Sequence, residues 1–285
     1  MTKIILGSRT ILIATCVVGV FVILAAAAPL VSPYDPLEVF SGLRNAPVGT
    51  PGHILGTDQS GRDILSRIIW GGRVTLVMGT VPVLGSLLIG IVLGLLAAYY
   101  GRILEFLVLR LMEVLFAFPL ILLAILAAAV LGKGMLNAMI AMTIVVIPYV
   151  IRAVHAAAKS TMGLTYVEAS IIRGAGAWHV MFSEILPNIM SSLIVFATSV
   201  IPIFIIFAAG LSYLGLAIEP PTPDWGIMIA EGQKVIQVAP HVPTVPGLVL
   251  LIVSVAMNVI SDSLQHELDP RARGERSQVG AGGVC

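Results

Sequence analysis

The chain has 285 residues, of which 58% are hydrophobic and only 11% are charged, and its mean hydropathy is +1.03. Soluble domains contain about 45–50% apolar and about 25% charged residues, so this composition excludes a soluble enzyme. A net charge of +1 without a long basic run gives no electrostatic footprint for binding nucleic acid. The composition therefore predicts a protein that lies in a lipid membrane.

Six long apolar runs follow one another along the chain. About 20 such residues cross the hydrocarbon core as a helix, and irregular backbone cannot face lipid. The sequence therefore predicts an all-α polytopic membrane protein with six transmembrane helices. The predicted spans are residues 11–31, 74–98, 106–131, 135–151, 191–218 and 247–260.

The first run has an alternative interpretation as a cleaved signal peptide, because residues 25–28 are four alanines that resemble a small-residue cleavage site. The run is longer than the usual hydrophobic region of about 7–15 residues, and Pro29 follows the alanines directly. We interpret it as a retained helix. In the second run, Gly90 and Gly94 form a pair of small residues that lets two helices approach closely in lipid.

Basic residues predict the orientation, because cytoplasmic loops carry an excess of Lys and Arg. With the N-terminus inside, the inner segments hold more of them than the outer segments do, which places both termini in the cytoplasm. The predicted organisation is an N-terminal tail and first helix (1–31), an external loop (32–73), a core transmembrane domain (74–264) with a cytoplasmic loop (152–190), and a cytoplasmic tail (265–285).

The sequence contains no recognisable nucleotide-binding or metalloprotease motif. A phosphate-binding loop needs G-x-x-x-x-G-K-[ST], and the only Gly-Lys pair, Gly132-Lys133, continues with Gly134-Met135. The five histidines are scattered, and none belongs to an H-E-x-x-H motif. We therefore expect no catalytic, cofactor or metal site, which argues against a catalytic membrane enzyme.

An ion-coupled carrier or a channel is the rival class of function. Such proteins place ionisable groups at the membrane midplane, whereas the middles of the six runs carry no charge. Arg110 and Glu113 lie three residues apart near the cytoplasmic end of the third run, and we expect them to pair on one helix face.

The most informative segment is the predicted cytoplasmic stretch 165–188. Thr165 and Glu168 have the spacing of a capping box, in which the two side chains satisfy backbone N–H groups at the start of a helix. Gly174 and Gly176 can end that helix and turn the chain. The segment predicts a short helix that projects from the membrane, although an ordinary amphipathic loop has the same local pattern.

A second short helix is expected over residues 177–186. Pro187 and Asn188 follow, and we expect them to break this helix before the fifth span. The two helices would form a rigid knob that a soluble partner can grip.

The order Glu168-Ala169-Ser170, then Gly174, then Leu186-Pro187 resembles the EAA loop of ABC-importer permeases. Ser170 replaces the usual second alanine, and Glu184 stands where the motif often has an apolar residue. Neither departure changes the small-residue face or the glycine turn. The resemblance assigns contact with an ATPase to Thr165, Glu168, Ala169, Ser170, Gly174, Gly176, Leu186 and Pro187.

Further blocks are similar to the second permease subunit of dipeptide, oligopeptide and nickel uptake systems, and they cover nearly the whole chain. They are residues 55–63 with Ser66-Arg67 and Gly72-Arg73, residues 117–119, 211–216 and 220–226, and residues 268–271. The resemblance implies a six-helix permease of the ABC type I importer fold in the bacterial cytoplasmic (inner) membrane. It also implies a homologous permease, two ATP-binding subunits that hold ATP and Mg, and an external solute-binding protein as partners.

In the resembled family, the EAA helix sits in a cleft of the ATPase and moves when the ATPase dimer closes. The implied substrate is a di- or oligopeptide, with nickel or another small solute as the alternative. Two external features have open roles. Asp58, Arg62, Asp63 and Arg67 suit either docking of the binding protein or pairing within the loop, and the Pro-rich loop with Asp224 and Trp225 suits either a cap on the translocation path or a rigid crossover.

Overall fold

The computed structural model describes the backbone of residues 2–268 and the side chains of residues 9–265. The predicted tail 265–285 lies outside the described residues from residue 269 onward, as does most of the block 268–271. The helices are α1 (Thr2–Ala26), α2 (Ala28–Val31), α3 (Ile64–Tyr100), α4 (Arg102–Phe116), α5 (Leu120–Leu131), α6 (Met135–Met162), α7 (Thr165–Ile172), α8 (Ala177–His179) with a π-helical segment (Val180–Ile185), α9 (Leu186–Tyr213), α10 (Trp225–Gln233) and α11 (His241–Leu268).

The all-α fold predicted from the sequence is confirmed. Five helical stretches in the described part are long and apolar enough to cross a membrane: Arg9–Ala26, Ile64–Tyr100, Met135–Met162, Ala177–Tyr213 and His241–Gln265. The pair α4 and α5 makes a sixth if it is counted as one span. Between residues 2 and 268, β-structure is limited to two isolated bridges in the external loop.

The third predicted span, residues 106–131, is not a straight helix. It is divided into α4 and α5, whose axes meet at 94°. Pro119 explains the break, because proline has no N–H to donate and disfavours helical backbone at the residue before it. Pro119 itself has extended backbone and precedes the first residue of α5.

The predicted boundary of the external loop at residue 73 is also wrong. Helix α3 begins at Ile64, because the Asp63 side chain caps it by accepting a hydrogen bond from the Ser66 N–H at 2.7 Å. With 37 residues, α3 is about 55 Å long and extends well beyond a hydrocarbon core of about 30 Å. Arg67 therefore lies on a helix, not in a loop.

Close packing of α3 against α6 forms the centre of the main core. A Cβ atom added at Gly90 would lie 2.4 Å from Val150 Cγ1, and one at Gly94 would lie 2.8 Å from the Val154 side chain. The close helix approach predicted from this glycine pair is confirmed. The approach lets α6 bury Val150 and Val154 completely against α3.

Replacing Gly90 with leucine is expected to lower thermal stability strongly, because overpacking a tight core costs about 1–3 kcal/mol or more. Gly85→Ala is the matched control on the same helix, since its added Cβ would lie 3.6 Å from Thr143, an ordinary contact distance. Apparent melting temperatures of the purified variants test this. Equal temperatures for Gly90→Leu and Gly85→Ala would contradict the packing described.

A second apolar cluster packs α10 against α3 and α11. Trp225 is fully buried among Ile64, Ile68, Met228 and Val253. These residues come from α3, α10 and α11, so the cluster holds α10 against two of the spans.

Candidate coupling helix and external charge cluster

Helix α7 begins at Thr165, whereas a capping box with Thr165 as the N-cap would require the helix to begin at Tyr166. Leu164 is the N-cap, has extended backbone, and accepts the Glu168 N–H through its carbonyl at 3.2 Å. Thr165 is already the first helical residue, and the helix has no side-chain cap hydrogen bond. The predicted capping box between Thr165 and Glu168 is therefore wrong. The side chains of both residues are exposed.

The end of α7 is a Schellman motif at Gly174. The Gly174 N–H donates to Ile171 O at 2.9 Å, and the Ala175 N–H donates to Ser170 O at 3.1 Å. Gly174 has φ +83°, a left-handed conformation that favours glycine. Gly176 has φ −66° and extended backbone, so it leads into α8 without ending α7.

Pro187 does not interrupt the helical structure before the fifth span, contrary to the sequence prediction. Leu186 and Pro187 occupy the first turn of α9, and the preceding turn widens into the π-helical segment. A π-turn accommodates proline, whose ring conflicts with the carbonyl four residues earlier in a regular helix. Asn188 Nδ2 satisfies the Glu184 carbonyl at 2.6 Å.

The inner face of α7 packs on its own chain. Val167 and Ser170 are buried, Ala169 is half-buried, and the Ser170 hydroxyl donates to Glu184 Oε1 at 3.4 Å. His179 Nε2 lies 3.6 Å from the same Glu184 oxygen. Glu184 thus connects α7, α8 and the π-helical segment, a role that sequence reasoning missed.

The outer face of this region exposes large apolar side chains. Ile172 is 85% exposed and Trp178 is 62% exposed, and the Trp178 ring stacks on Phe182 with centroids 5.4 Å apart. Exposed apolar surface on a rigid, capped turn suits contact with another protein. The exposed Leu164, Tyr166 and Ile171 extend this surface.

The charged residues around the start of α3 are buried and pair with one another. Arg62 Nε donates to Asp58 Oδ2 at 2.7 Å, and Arg67 Nη1 donates to the same oxygen. Both arginines also bind Glu231 Oε2, at 2.8 Å from Arg62 and 3.0 Å from Arg67. The structure therefore favours internal pairing of Asp58, Arg62 and Arg67 over direct docking by these side chains.

The fourth member of the predicted patch, Asp63, lies beside this cluster and serves the start of α3. Besides accepting the Ser66 N–H, Asp63 contacts His53: its Oδ1 atom lies 3.0 Å from His53 Nδ1. The His53 ring is buried between Tyr34 and Phe40, with centroids 5.0 and 4.7 Å away. The loop of residues 32–63 is thus folded onto the start of α3.

Asp224 and Trp225 form a buried junction between α3 and α10. Asp224 Oδ1 caps α10 by accepting the N–H groups of Gly226 and Ile227, and Thr75 donates its hydroxyl to Asp224 Oδ2 at 2.7 Å. Trp225 Nε1 donates to Ile68 O at 3.0 Å. Burial raises the pKa of the Asp224 carboxyl, against the hydrogen bonds that lower it. These buried contacts favour a rigid crossover over a cap on the translocation path.

Two groups that complete these sites gave no signal in the sequence. Glu231 lies 164 residues beyond Arg67 along the chain, and Thr75 lies inside an apolar run. Only the folded chain brings them to Arg67 and Asp224.

Known proteins resemble this chain over most of its length. Residues 90–274 match the family described as binding-protein-dependent transport system inner membrane component. The di/tripeptide transport system permease protein DppC of Pseudomonas aeruginosa is 42% identical, covering 87% of this chain and 84% of the relative. The glutathione transport system permease protein GsiD of Pectobacterium atrosepticum is 40% identical (90% and 86%), and the dipeptide transport system permease protein DppC of Haemophilus influenzae is 37% identical (93% and 92%).

Proposed function

We propose that this chain, which belongs to the binding-protein-dependent transport system inner membrane component family, forms part of the path by which an importer takes up short peptides. It is the permease component of an ABC importer and a multi-pass inner membrane protein, not a catalytic subunit. Membership in this family implies ATPase and binding-protein partners. Peptide as the substrate is the finer part of the proposal.

The relatives support a peptide substrate. Two of them are named for dipeptides or tripeptides, and the third is named for glutathione, which is itself a tripeptide. Identities of 37–42% over most of both chains carry this inference.

Helix α7 and the turn at Gly174 are proposed as the coupling element. A two-state permease responds only to a partner that binds its two states differently. The exposed apolar surface around Ile172 and Trp178 supplies a contact for the ATPase. Glu184 transmits the movement of α7 to α9 through the π-helical segment. Thr165, Glu168 and Ala169 would lie at or near the contact, while Ser170 would hold α7 to its own chain.

A homologous permease and two ATP-binding subunits complete the proposed assembly. The wholly or partly exposed apolar side chains of α4 include Ile103, Phe106 and Leu107, and Met112 is the one buried residue of this helix. This face leaves apolar area for the sister permease or lipid. Both termini and residues 152–190 are proposed to be cytoplasmic.

Thiol labelling tests this topology in a background with Cys16→Ser and Cys285→Ser. We expect Ser41→Cys and Thr222→Cys, both at exposed sites, to react with an impermeant reagent in whole cells. Thr165→Cys should react only after permeabilisation, since the basic residues place α7 inside. Labelling of Thr165→Cys from outside would contradict both the orientation and the coupling role.

Uptake measurements test the substrate. Cells that lack this chain should lose binding-protein-dependent accumulation of a labelled dipeptide and regain it when the chain is supplied. Unlabelled di- and tripeptides should compete, whereas nickel should not. Competition by nickel without competition by peptides would favour the alternative substrate.

A further inference from the structure

A cavity with both polar and apolar lining residues lies at the end of α9, and no function has been assigned to it so far. It has a volume of about 350 Å³ and lies between the end of α9 and helix α10. This volume is within the range of about 300–1,000 Å³ typical of small-molecule sites. Its lining includes Ser212, Tyr213, Glu231 and Lys234.

The cavity borders an apolar groove. Tyr213 and Leu214 line both the cavity and a groove of about 590 Å³ between α5 and α9. The groove is otherwise lined by apolar side chains such as Ile206 and Phe207. A cavity with charged side chains beside an apolar groove matches a small zwitterion with apolar side chains.

The two charged side chains that line the cavity differ in their pairing. Glu231 and Lys234 lie three residues apart, at the end of α10, but the Glu231 carboxylate turns toward Arg62 and Arg67. Asp58 and Glu231 balance the two arginines. Lys234 is exposed and has no ion-pair partner among the residues whose side chains are described.

We propose that this cavity is a contact site for the peptide on the permease itself, in which Lys234 binds the terminal carboxylate. Glu231 Oε1, which has no hydrogen-bond partner in the described part of the chain, accepts a hydrogen bond from the terminal amino group. This inference rests on the proposed peptide substrate. It adds a recognition step after release from the binding protein.

Photocrosslinking tests the proposal in proteoliposomes that contain the complete transporter and its binding protein. The probe is a dipeptide with a diazirine in its second side chain. We expect this chain to be labelled at the residues of α5 and α9 that line the groove, or within residues 212–234, which line the cavity. Lys234→Gln should lower labelling about tenfold, the value expected for loss of one charge-assisted hydrogen bond, and Lys234→Arg should retain it.

Lys133→Gln is the matched control, because Lys133 is exposed but already lies 3.8 Å from Glu219. It should leave labelling unchanged, and a dipeptide amidated at its C-terminus should label Lys234→Gln and the unmodified protein equally. Equal labelling of Lys234→Gln and the unmodified protein by the free dipeptide would overturn the cavity proposal, as would an equal loss in Lys133→Gln. Failure of the unmodified transporter to take up the dipeptide would instead overturn the proposed substrate.

Discussion

Replacing Arg67 with alanine is expected to lower the free energy of unfolding by about 3–5 kcal/mol, because it removes one of the two arginines that neutralise the carboxylates of Asp58 and Glu231. The Arg67 side chain is 1% exposed and binds both Asp58 and Glu231. Its loss would leave two acidic groups against Arg62 alone. The measurement is the apparent melting temperature of the purified chain in detergent, together with its level in the membrane.

Arg110→Ala is the control for this substitution. Arg110 forms a comparable pair with Glu113 at 2.7 Å, but the two side chains are 69% and 50% exposed. Exposed pairs contribute about 0–1 kcal/mol, so this variant should melt close to the unmodified protein. If Arg67→Ala melts equally close, the cluster does not hold the external loop to α3 and α10.

Replacing Gly174 with valine should uncouple transport while the protein remains inserted. A β-branched residue at φ +83° is strained by about 1–2 kcal/mol, and this strain corresponds to about a five- to thirtyfold shift against the native turn. Peptide uptake and peptide-stimulated ATP hydrolysis of the assembled transporter should fall together. Both activities are measured in proteoliposomes.

Two variants separate this effect from a general loss of the loop. Gly176→Val should be tolerated, because Gly176 has φ −66° and a Cβ there meets no atom within 4 Å. Gly174→Asn should retain more activity than Gly174→Val, since asparagine tolerates the left-handed conformation. Full activity of Gly174→Val would show that the Schellman turn is not needed for coupling.

The helices and the family could be predicted from local sequence. Apolar runs mark the spans because lipid demands continuous helices, and the order from Glu168 to Pro187 predicted the family that the relatives confirm. Gly174 was predictable as a turn for a local reason, since the two hydrogen bonds of the turn, donated by Gly174 and Ala175, reach only three and five residues back.

Features that depend on distant residues or on competing local geometry were not predictable in the same way. Hydropathy does not register the bend at Pro119, because both halves of the run are apolar. The charges of Asp58, Arg62 and Arg67 did not distinguish docking from pairing until Glu231 supplied the second acidic partner. At Thr165 the spacing was right for a capping box, but the helix begins with Leu164 as its N-cap.

We propose that this chain carries solute but receives its energy from partners. Reconstitution in proteoliposomes tests it most directly, with the chain alone compared with the chain plus its sister permease, ATPases and binding protein. We predict that the complete assembly hydrolyses ATP and accumulates a labelled dipeptide, whereas the chain alone does neither. Accumulation by the chain alone under a proton or sodium gradient would contradict this account and favour an ion-coupled carrier.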